Sequence, residues 1–215
     1  MWRVGFIIGL LGALLVAMPA TAQEHPVFNT KVDPPQAPVL RDRLKAGGHV
    51  IFFRHGATPD YQEPTPVDFT KCDAQRNLNA LGRAQAVAIG EAFRELGLPV
   101  GDVVSSPFCR CLDTARLAFG RTEIDEAVRG DKDKADRLRA LFATPPAAGG
   151  NRIIVGHGTA GGMIGEEFLR EAEAMVVKPE GDGKFTLIAR VRAESWAQWL
   201  ERHRQPPPGT PRAGQ

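Results

Sequence analysis

The sequence is low in aromatic residues and in net charge. Aromatic side chains make up 7% of its 215 residues, and 27 Lys and Arg against 25 Asp and Glu give a net charge of +2. A nucleic-acid-binding surface is usually basic and offers aromatic stacking platforms. The composition therefore does not favour a nucleic-acid partner. The length suits one domain with a sizeable core, and neither a repeat nor a second domain is apparent.

The long apolar run near the N-terminus is too short for a membrane-spanning helix. It covers Val4 to Met18, whereas a spanning helix needs roughly 20 residues. A positive charge at Arg3 precedes the run, and an A-x-A pattern, Pro19–Ala22, follows it before Gln23. This layout is typical of a secretory signal peptide and favours cleavage over a single membrane anchor. We expect residues 1–22 to be removed after Ala22, leaving a periplasmic or secreted protein without a stable membrane anchor.

Only three cysteines are present, namely Cys72, Cys109 and Cys111. They are too few and too widely spaced for a zinc site. In an oxidising compartment at most one intrachain disulfide forms, and one thiol is left over. Because Cys109 and Cys111 are too close in sequence to bridge comfortably, the sequence predicts a disulfide from Cys72 to either Cys109 or Cys111.

Strands and helices alternate along the chain. Apolar runs predict strands at 50–53, 100–106, 152–155, 174–177 and 184–192, and helical periodicity and end signals predict helices at 38–45, 80–96, 107–119, 131–142, 156–169 and 194–204. This order predicts an α/β three-layer sandwich with a mostly parallel central sheet. The domain would span residues 23–204, followed by a disordered Pro- and Gly-rich tail at 205–215. The long loop 56–79 is of the kind that is often functional.

Basic side chains follow three of the predicted strands. Arg54 and His55 end the first, Arg110 follows the second, and His157 follows the third, with no obvious acidic neighbour at these strand ends. Because active sites of open α/β sheets lie at the carboxyl ends of strands, we expect the four to converge. Arginine forks match phosphate oxygens, and imidazole can attack phosphorus. Arg54, Arg110 and a protonated His157 would stabilise the charge on the transferring group.

Four motifs occur in order between about residues 49 and 160. They are Arg54-His55-Gly56; the helix segment 78–86, which reads LNALGRAQA; the segment 105–110, SSPFCR, with 113–115, DTA; and the segment 155–158, VGHG. In order and spacing they resemble the motifs of the histidine phosphatase (phosphoglycerate mutase-like) superfamily. The resemblance implies a histidine phosphatase-like fold, with His55 as the nucleophile that becomes phosphorylated and Arg54, Arg110 and His157 as the phosphate pocket. Together with the predicted signal peptide, it implies an exported phosphomonoesterase acting on a small-molecule phosphomonoester, with no metal and no other cofactor.

The sequence departs from the family pattern at the general acid. One branch has an Asp directly after the second histidine, where this chain has Gly158. Another branch has a Glu between the second arginine and the second histidine. Four candidates stay open. Asp125 and Glu126 lie in that interval, and Glu171 and Glu173 lie at the start of the strand after the second histidine's helix. If none serves, good leaving groups, or phosphohistidine and phosphoanhydride substrates, would be favoured.

Two other functions fit parts of the sequence. The first is a non-catalytic phosphate- or phosphosugar-binding protein on the same fold. The second is a nucleotide-binding module, because residues Gly156 to Gly161 satisfy G-x-G-x-x-G and Glu180 follows about 20 residues on. The tripeptide Arg129-Gly130-Asp131 is given no functional weight. The physiological substrate and the oligomeric state are left open.

Overall fold

The computed structural model describes residues 37–163 and 168–205, so the predicted signal peptide and the tail beyond residue 205 lie outside the described residues. Within these ranges, no helix combines the length and apolarity needed to cross a membrane. The described helices and strands are, in chain order, α1 Ala37–Ala46, β1 Val50–Arg54, α2 Ala80–Glu95, β2 Val100–Ser105, α3 Cys109–Phe119, β3 Glu123–Ile124, α4 Ala135–Ala143, β4 Asn151–Gly156, α5 Gly158–Met163, β5 Ala174–Gly181, β6 Lys184–Val191 and α6 Ala193–Arg204. Short 3-10 turns lie at Cys72–Ala74, Glu126–Arg129 and Lys132–Lys134.

The six strands form one sheet in the order β3-β2-β4-β1-β5-β6. The first four in this order are mutually parallel, and β5 and β6 add an antiparallel edge. The mostly parallel sheet predicted from the sequence is therefore confirmed. Beyond the β1–β4 pairing, the His55 N–H donates to the Gly156 carbonyl at 3.0 Å, and the Ser106 N–H donates to the Val155 carbonyl at 3.0 Å. These bonds bring the ends of β1, β2 and β4 to the same edge.

Helices cover both faces of the sheet, as a three-layer sandwich requires. Alternate residues of β1 point to opposite faces, so Ile51 and Phe53 pack with α1, α2, α3 and α6, whereas Val50 and Phe52 pack with α4 and α5. On the first face, Trp196 of α6 is fully buried, and its ring lies 5.8 Å from that of Phe53. The apolar run of β1 is buried on both sides because it lies in the interior of the sheet.

Several element boundaries differ from the sequence-based prediction. The helix predicted from Pro107 begins at Cys109, because Phe108 is extended and the Cys109 N–H donates to the Gln75 side-chain oxygen at 2.9 Å. The helix predicted at 131–142 is split, since Lys134 departs from helical geometry between a 3-10 turn and α4. The helix predicted at 156–169 is shorter: α5 ends at Met163, residues 164–167 lie outside the described part, and 168–170 are irregular. The two-residue strand β3 was not predicted.

Candidate active site

A cavity of about 320 Å³ lies at the carboxyl ends of β1, β2 and β4. The structure brings all four predicted site residues into its wall. The lining residues are Arg54, His55, Arg76, Phe108, Arg110, Arg129, Asp131, His157, Gly158, Thr159 and Phe168. The rings of the two histidines have their centroids 5.6 Å apart and meet edge to face. The strand-end argument therefore located the cavity, while the catalytic roles of these residues stay predictions.

His55 is held in one tautomer and is buried. Its Nδ1–H donates to the Gly56 carbonyl at 2.8 Å, which leaves the lone pair on Nε2. The side chain is 2% exposed. Burial disfavours the imidazolium and, with nearby Arg110 and Arg54, lowers the pKa of His55 to about 3. The imidazole is thus neutral at neutral pH, as a nitrogen nucleophile must be.

The turn after β1 is fixed by side chains from α2 and α3. The Gly56 N–H donates to the Thr114 hydroxyl oxygen at 3.0 Å, and this hydroxyl donates to the Arg110 carbonyl at 2.7 Å. The next N–H along the chain donates to the Gln85 side-chain oxygen at 2.9 Å. A Cβ at residue 56 would lie only 2.6 Å from the Gly82 carbonyl oxygen, so a side chain is excluded there. The motif residues in both helices therefore serve to shape the turn that carries His55.

Arg54 is oriented from the segment before β5. Its Nη1 donates to the Leu169 carbonyl at 2.9 Å, and its Nη2 lies 3.7 Å from a Glu171 carboxylate oxygen. The guanidinium carbon lies 4.8 Å from the centroid of the Phe168 ring. These contacts fix the plane of the guanidinium at the wall of the cavity.

Arg110 sits at the start of α3 and is nearly buried. Its Nη1 contacts the Glu63 carboxylate and lies 3.4 Å from the Arg76 carbonyl oxygen. Its guanidinium carbon lies 4.2 Å from the centroid of the Phe108 ring. No acid is adjacent to either strand-end arginine in sequence, but the fold brings Glu63 to Arg110 and Glu171 to Arg54 from other segments.

Four arginines line the cavity, namely Arg54, Arg76, Arg110 and Arg129. In the described part of the chain, the Nε of Arg54, Arg76 and Arg110 is buried without a hydrogen-bond partner, whereas that of Arg129 lies 3.2 Å from an Asp131 carboxylate oxygen. Buried donors are normally paired, and an orphaned one is costly. The four guanidiniums concentrate positive charge around one cavity, which suits an anionic ligand.

His157 faces polar groups at the end of β2 and in α3. Its Nε2 lies 2.9 Å from the Ser106 hydroxyl oxygen and 3.7 Å from the Cys111 sulfur. Burial, with nearby Arg110, lowers the pKa of His157 well below its usual value. In the unliganded site, burial and the neighbouring arginines thus oppose a positive charge on His157. The expectation of a protonated His157 concerns the site with a transferring phosphoryl group and stays a prediction.

Two of the three cysteines form a disulfide and one is free, as the sequence predicts. Cys72 is disulfide-bonded to Cys109, with the Cα atoms 5.6 Å apart, and Cys111 is a free, buried thiol. Burial raises the pKa of Cys111 to about 12, so this thiol is protonated at neutral pH. Of the two pairings left open, the structure contains the first.

The four candidate general acids do not line the cavity. Asp125 accepts from Arg137 at 2.9 Å, Glu126 contacts Arg129 and Lys134, and the buried Glu173 accepts from Arg190 at 3.1 Å. Glu171 lies nearer the site, since it accepts from the Thr58 hydroxyl at 2.8 Å and contacts Arg54. Among the described residues, Asp131 is the carboxylate in the cavity wall, with one oxygen 3.2 Å from Arg129 Nε.

Sequence reasoning missed four residues at or beside the cavity, namely Glu63, Arg76, Arg129 and Asp131. None of them follows the end of one of the three strands, so the strand-end argument could not reach them. For Arg76 a signal existed, because it lies two residues before the start of the motif segment 78–86. Arg129 and Asp131 belong to the tripeptide that was given no weight. Within the described ranges, no cluster of three or more His, Cys, Asp or Glu side chains could hold a metal ion.

The glycine-rich sequence after β4 is covered by an aromatic ring. A Cβ built on Gly158 would lie 2.6 Å from Cζ of Phe168. Glu180, the candidate ribose-binding acid, accepts from the Thr186 hydroxyl at 2.7 Å. These contacts do not favour the nucleotide-binding alternative.

Comparison with known proteins identifies the class. Residues 50–131 match the model of the histidine phosphatase superfamily (branch 1). The fold resembles that of the protein histidine phosphatase SixA complexed with tungstate, with 15% identity, a TM-score of 0.51, and coverage of 67% of this chain and 97% of that chain. The predicted resemblance to the histidine phosphatase superfamily is confirmed, and so is the α/β sandwich with its central sheet.

Two further relatives are similar in part. The mitochondrial serine/threonine-protein phosphatase Pgam5 of Drosophila virilis is 31% identical over 83 residues, which are 39% of this chain and 26% of that protein. The match thus spans about a quarter of that relative. The putative phosphohistidine phosphatase SixA from Agrobacterium tumefaciens is 20% identical, with a TM-score of 0.49 and coverage of 67% of this chain and 97% of that chain.

Proposed function

We propose that the protein is an exported phosphomonoesterase that works through a phosphohistidine on His55. The observation that carries the proposal is the state of this side chain: it is neutral, its Nδ1–H is committed to the Gly56 carbonyl, and it lines a cavity rich in arginine. The Nε2 lone pair attacks phosphorus, the P–O bond to the leaving group breaks, and the departing oxygen takes a proton. Water then attacks the phosphohistidine, which releases phosphate and regenerates neutral His55.

Arg54 and Arg110 bind the phosphoryl oxygens. Each has its Nη1 engaged by protein groups and its Nε buried. This leaves Nη2 as the terminal nitrogen that can donate to the ligand. A bound phosphate dianion would raise the pKa of His157 and favour its protonated form, which adds a third donor when charge develops.

The substrate class follows from the acids around the site. None of Asp125, Glu126, Glu171 and Glu173 lines the cavity, and Asp131, which does line it, is paired with Arg129. Protonation of a poor leaving group therefore has no assigned donor among these acids. We therefore propose small phosphomonoesters with good leaving groups as the better substrates. An aryl ester should be hydrolysed faster than an alkyl ester of similar size.

The deciding experiment is hydrolysis of p-nitrophenyl phosphate by the purified full-length protein. We expect turnover by the parent, none by His55→Ala, and unchanged turnover by Arg41→Ala, whose partner Asp42 is remote from the cavity. Denaturation in alkali during turnover should trap a phosphorylated protein in the parent only. Phosphate binding without turnover in the parent would instead favour the non-catalytic phosphate-binding protein. Activity retained by His55→Ala would refute the mechanism.

Export is proposed on two features. Residues 1–22 have the layout of a signal peptide, and the Cys72–Cys109 disulfide suits an oxidising compartment. Protein recovered from the periplasm or medium of the producing cells should begin at Gln23. An intact Met1 on protein that stays in the cytoplasm would contradict export.

A further inference from the structure

Glu63 lies in the long loop between β1 and α2, and its carboxylate reaches the site. One oxygen contacts Nη1 of Arg110, and the other accepts from the Arg76 N–H at 3.0 Å. The Arg110 side chain is 6% exposed and that of Glu63 is 17% exposed. An ion pair shielded to this degree is less screened than a surface pair, so its geometry is better defined.

The contact determines which edge of the guanidinium faces the cavity. Nη1 of Arg110 is engaged by Glu63 and lies near the Arg76 carbonyl, while the Phe108 ring supports the guanidinium plane. Nε is buried. With Nη1 held by Glu63 and Nε shielded, Nη2 is the terminal nitrogen left to donate to a phosphate oxygen.

The loop that carries Glu63 is fastened to the start of α3. The Cys72–Cys109 disulfide joins the loop to the residue before Arg110. Gln75 reinforces the junction, since its side-chain oxygen accepts from the Cys109 N–H at 2.9 Å and its carbonyl accepts from the Tyr61 hydroxyl at 3.2 Å. The partner of Arg110 is therefore covalently linked, through a short stretch of loop, to the helix that presents Arg110.

We propose that Glu63 is a positioning residue for phosphate binding, and that the Cys72–Cys109 disulfide keeps it in place. Glu63 fixes Nη1 of Arg110 so that Nη2 is presented to the substrate phosphate. Reduction of the disulfide releases the loop, loosens this contact and weakens phosphate binding. The inference rests on the proposed function for its physiological meaning, but phosphate affinity tests it directly.

If Glu63 competed with phosphate instead of positioning Arg110, its removal would change the phosphate affinity in the opposite direction. If the Glu63 carboxylate instead occupied the place of the phosphate, its removal would tighten phosphate binding. Measurement of inorganic phosphate binding by titration calorimetry separates the two roles, and it does not require turnover.

Three variants test the positioning role. We expect Glu63→Ala to raise the Kd for inorganic phosphate about tenfold, because Arg110 loses its charge-assisted partner. Glu63→Gln keeps an acceptor oxygen and should stay within about threefold of the parent. Asp60→Ala removes an exposed acid of the same loop and should leave the affinity unchanged. Affinity that is equal or higher in Glu63→Ala would overturn the proposal.

The disulfide is tested by a matched pair of proteins. Dithiothreitol should weaken phosphate binding by the parent, whereas the Cys72→Ser/Cys109→Ser variant should bind weakly with or without the reductant. Equal affinity of the oxidised parent, the reduced parent and the double variant would refute the tether.

If the parent is active, Glu63→Ala should raise KM for p-nitrophenyl phosphate more than it lowers kcat. Phosphate binding that depends on Glu63 in a parent without turnover would uphold the positioning role while rejecting the proposed function.

Discussion

The ring of Phe168 lies over the Cα of Gly158, so close that a Cβ at residue 158 would come within 2.6 Å of the ring carbon Cζ. The same ring supports the Arg54 guanidinium at 4.8 Å. The position directly after the second histidine therefore has no room for a carboxylate side chain while Phe168 keeps this place. A carboxylate side chain at residue 158 would therefore require the ring of Phe168 to turn aside.

The contact predicts that substitutions of Gly158 and Phe168 have non-additive effects on the free energy of unfolding. Gly158→Ala should destabilise the parent by about 1–3 kcal/mol, because the added methyl group collides with the ring. In a Phe168→Ala background the same substitution should cost much less, since the collision is gone. Urea unfolding of the four proteins gives the coupling free energy. Additive effects would show that the ring moves aside without cost.

Thr114 provides a second test, away from the ligand. Its hydroxyl is 1% exposed and connects the Gly56 N–H to the Arg110 carbonyl. Thr114→Val keeps the shape but leaves a buried N–H unpaired, and should lower the free energy of unfolding by about 1–3 kcal/mol. Thr114→Ser should retain most of the stability, and the exposed Thr144→Val is the matched control. A loss in Thr144→Val as large as in Thr114→Val would contradict the role given to this bond.

Acid should destabilise the protein through its buried histidines. Burial lowers the pKa of His55 to about 3 and that of His157 well below 6.5. Between the folded-state pKa of each histidine and its unfolded value of 6.5, the unfolded chain binds protons that the folded chain does not. The free energy of unfolding is therefore unaffected by these histidines above pH 6.5 and decreases as the pH falls below it. Each histidine should contribute a slope of about 1.4 kcal/mol per pH unit below its unfolded pKa. Unfolding free energies measured from about pH 7.5 to 4.5 should fall in the parent and less steeply in His55→Gln.

The phosphate pocket should matter most in the transition state. We expect His157→Ala and Arg110→Ala to reduce kcat/KM for p-nitrophenyl phosphate by an amount corresponding to roughly 2–4 kcal/mol. Arg83 pairs with Asp113 on the surface, at 3.3 Å, so Arg83→Ala is the matched control. Losses below about tenfold in both pocket variants would argue that these side chains do not contact the transferring group.

Sequence reasoning succeeded where a local pattern has a direct structural meaning. The run Val50–Phe53 predicts a buried strand because a strand in the interior of the sheet needs apolar residues on both faces. The residues that follow the strands were located because parallel strands end at one edge. The start of α3 was misplaced because the side chain of Gln75, distant in sequence, satisfies its first N–H. This bond exists only in the folded chain.

Neither the role of Glu63 nor the charge state of His157 could be predicted from the sequence, for a similar reason. The loop 56–79 has no periodicity, and Glu63 is placed by a disulfide whose partner the sequence left open. His157 is neutral because several elements bury it together with nearby arginines. Such burial depends on contacts that no single motif encodes.

Labelling of the Cys111 thiol can report when the protein core opens. Its thiol is fully buried against the Gly156 carbonyl, with the sulfur 3.6 Å from that oxygen, and the other two cysteines are joined to each other. A thiol reagent can therefore reach it only when α3 separates from the end of β4. Under conditions where labelling is faster than reclosing, the labelling rate equals the opening rate, and under slow labelling it reports the population of the open form. The kinetic stability of the region around the site can thus be followed at a native cysteine, without a probe introduced by mutation.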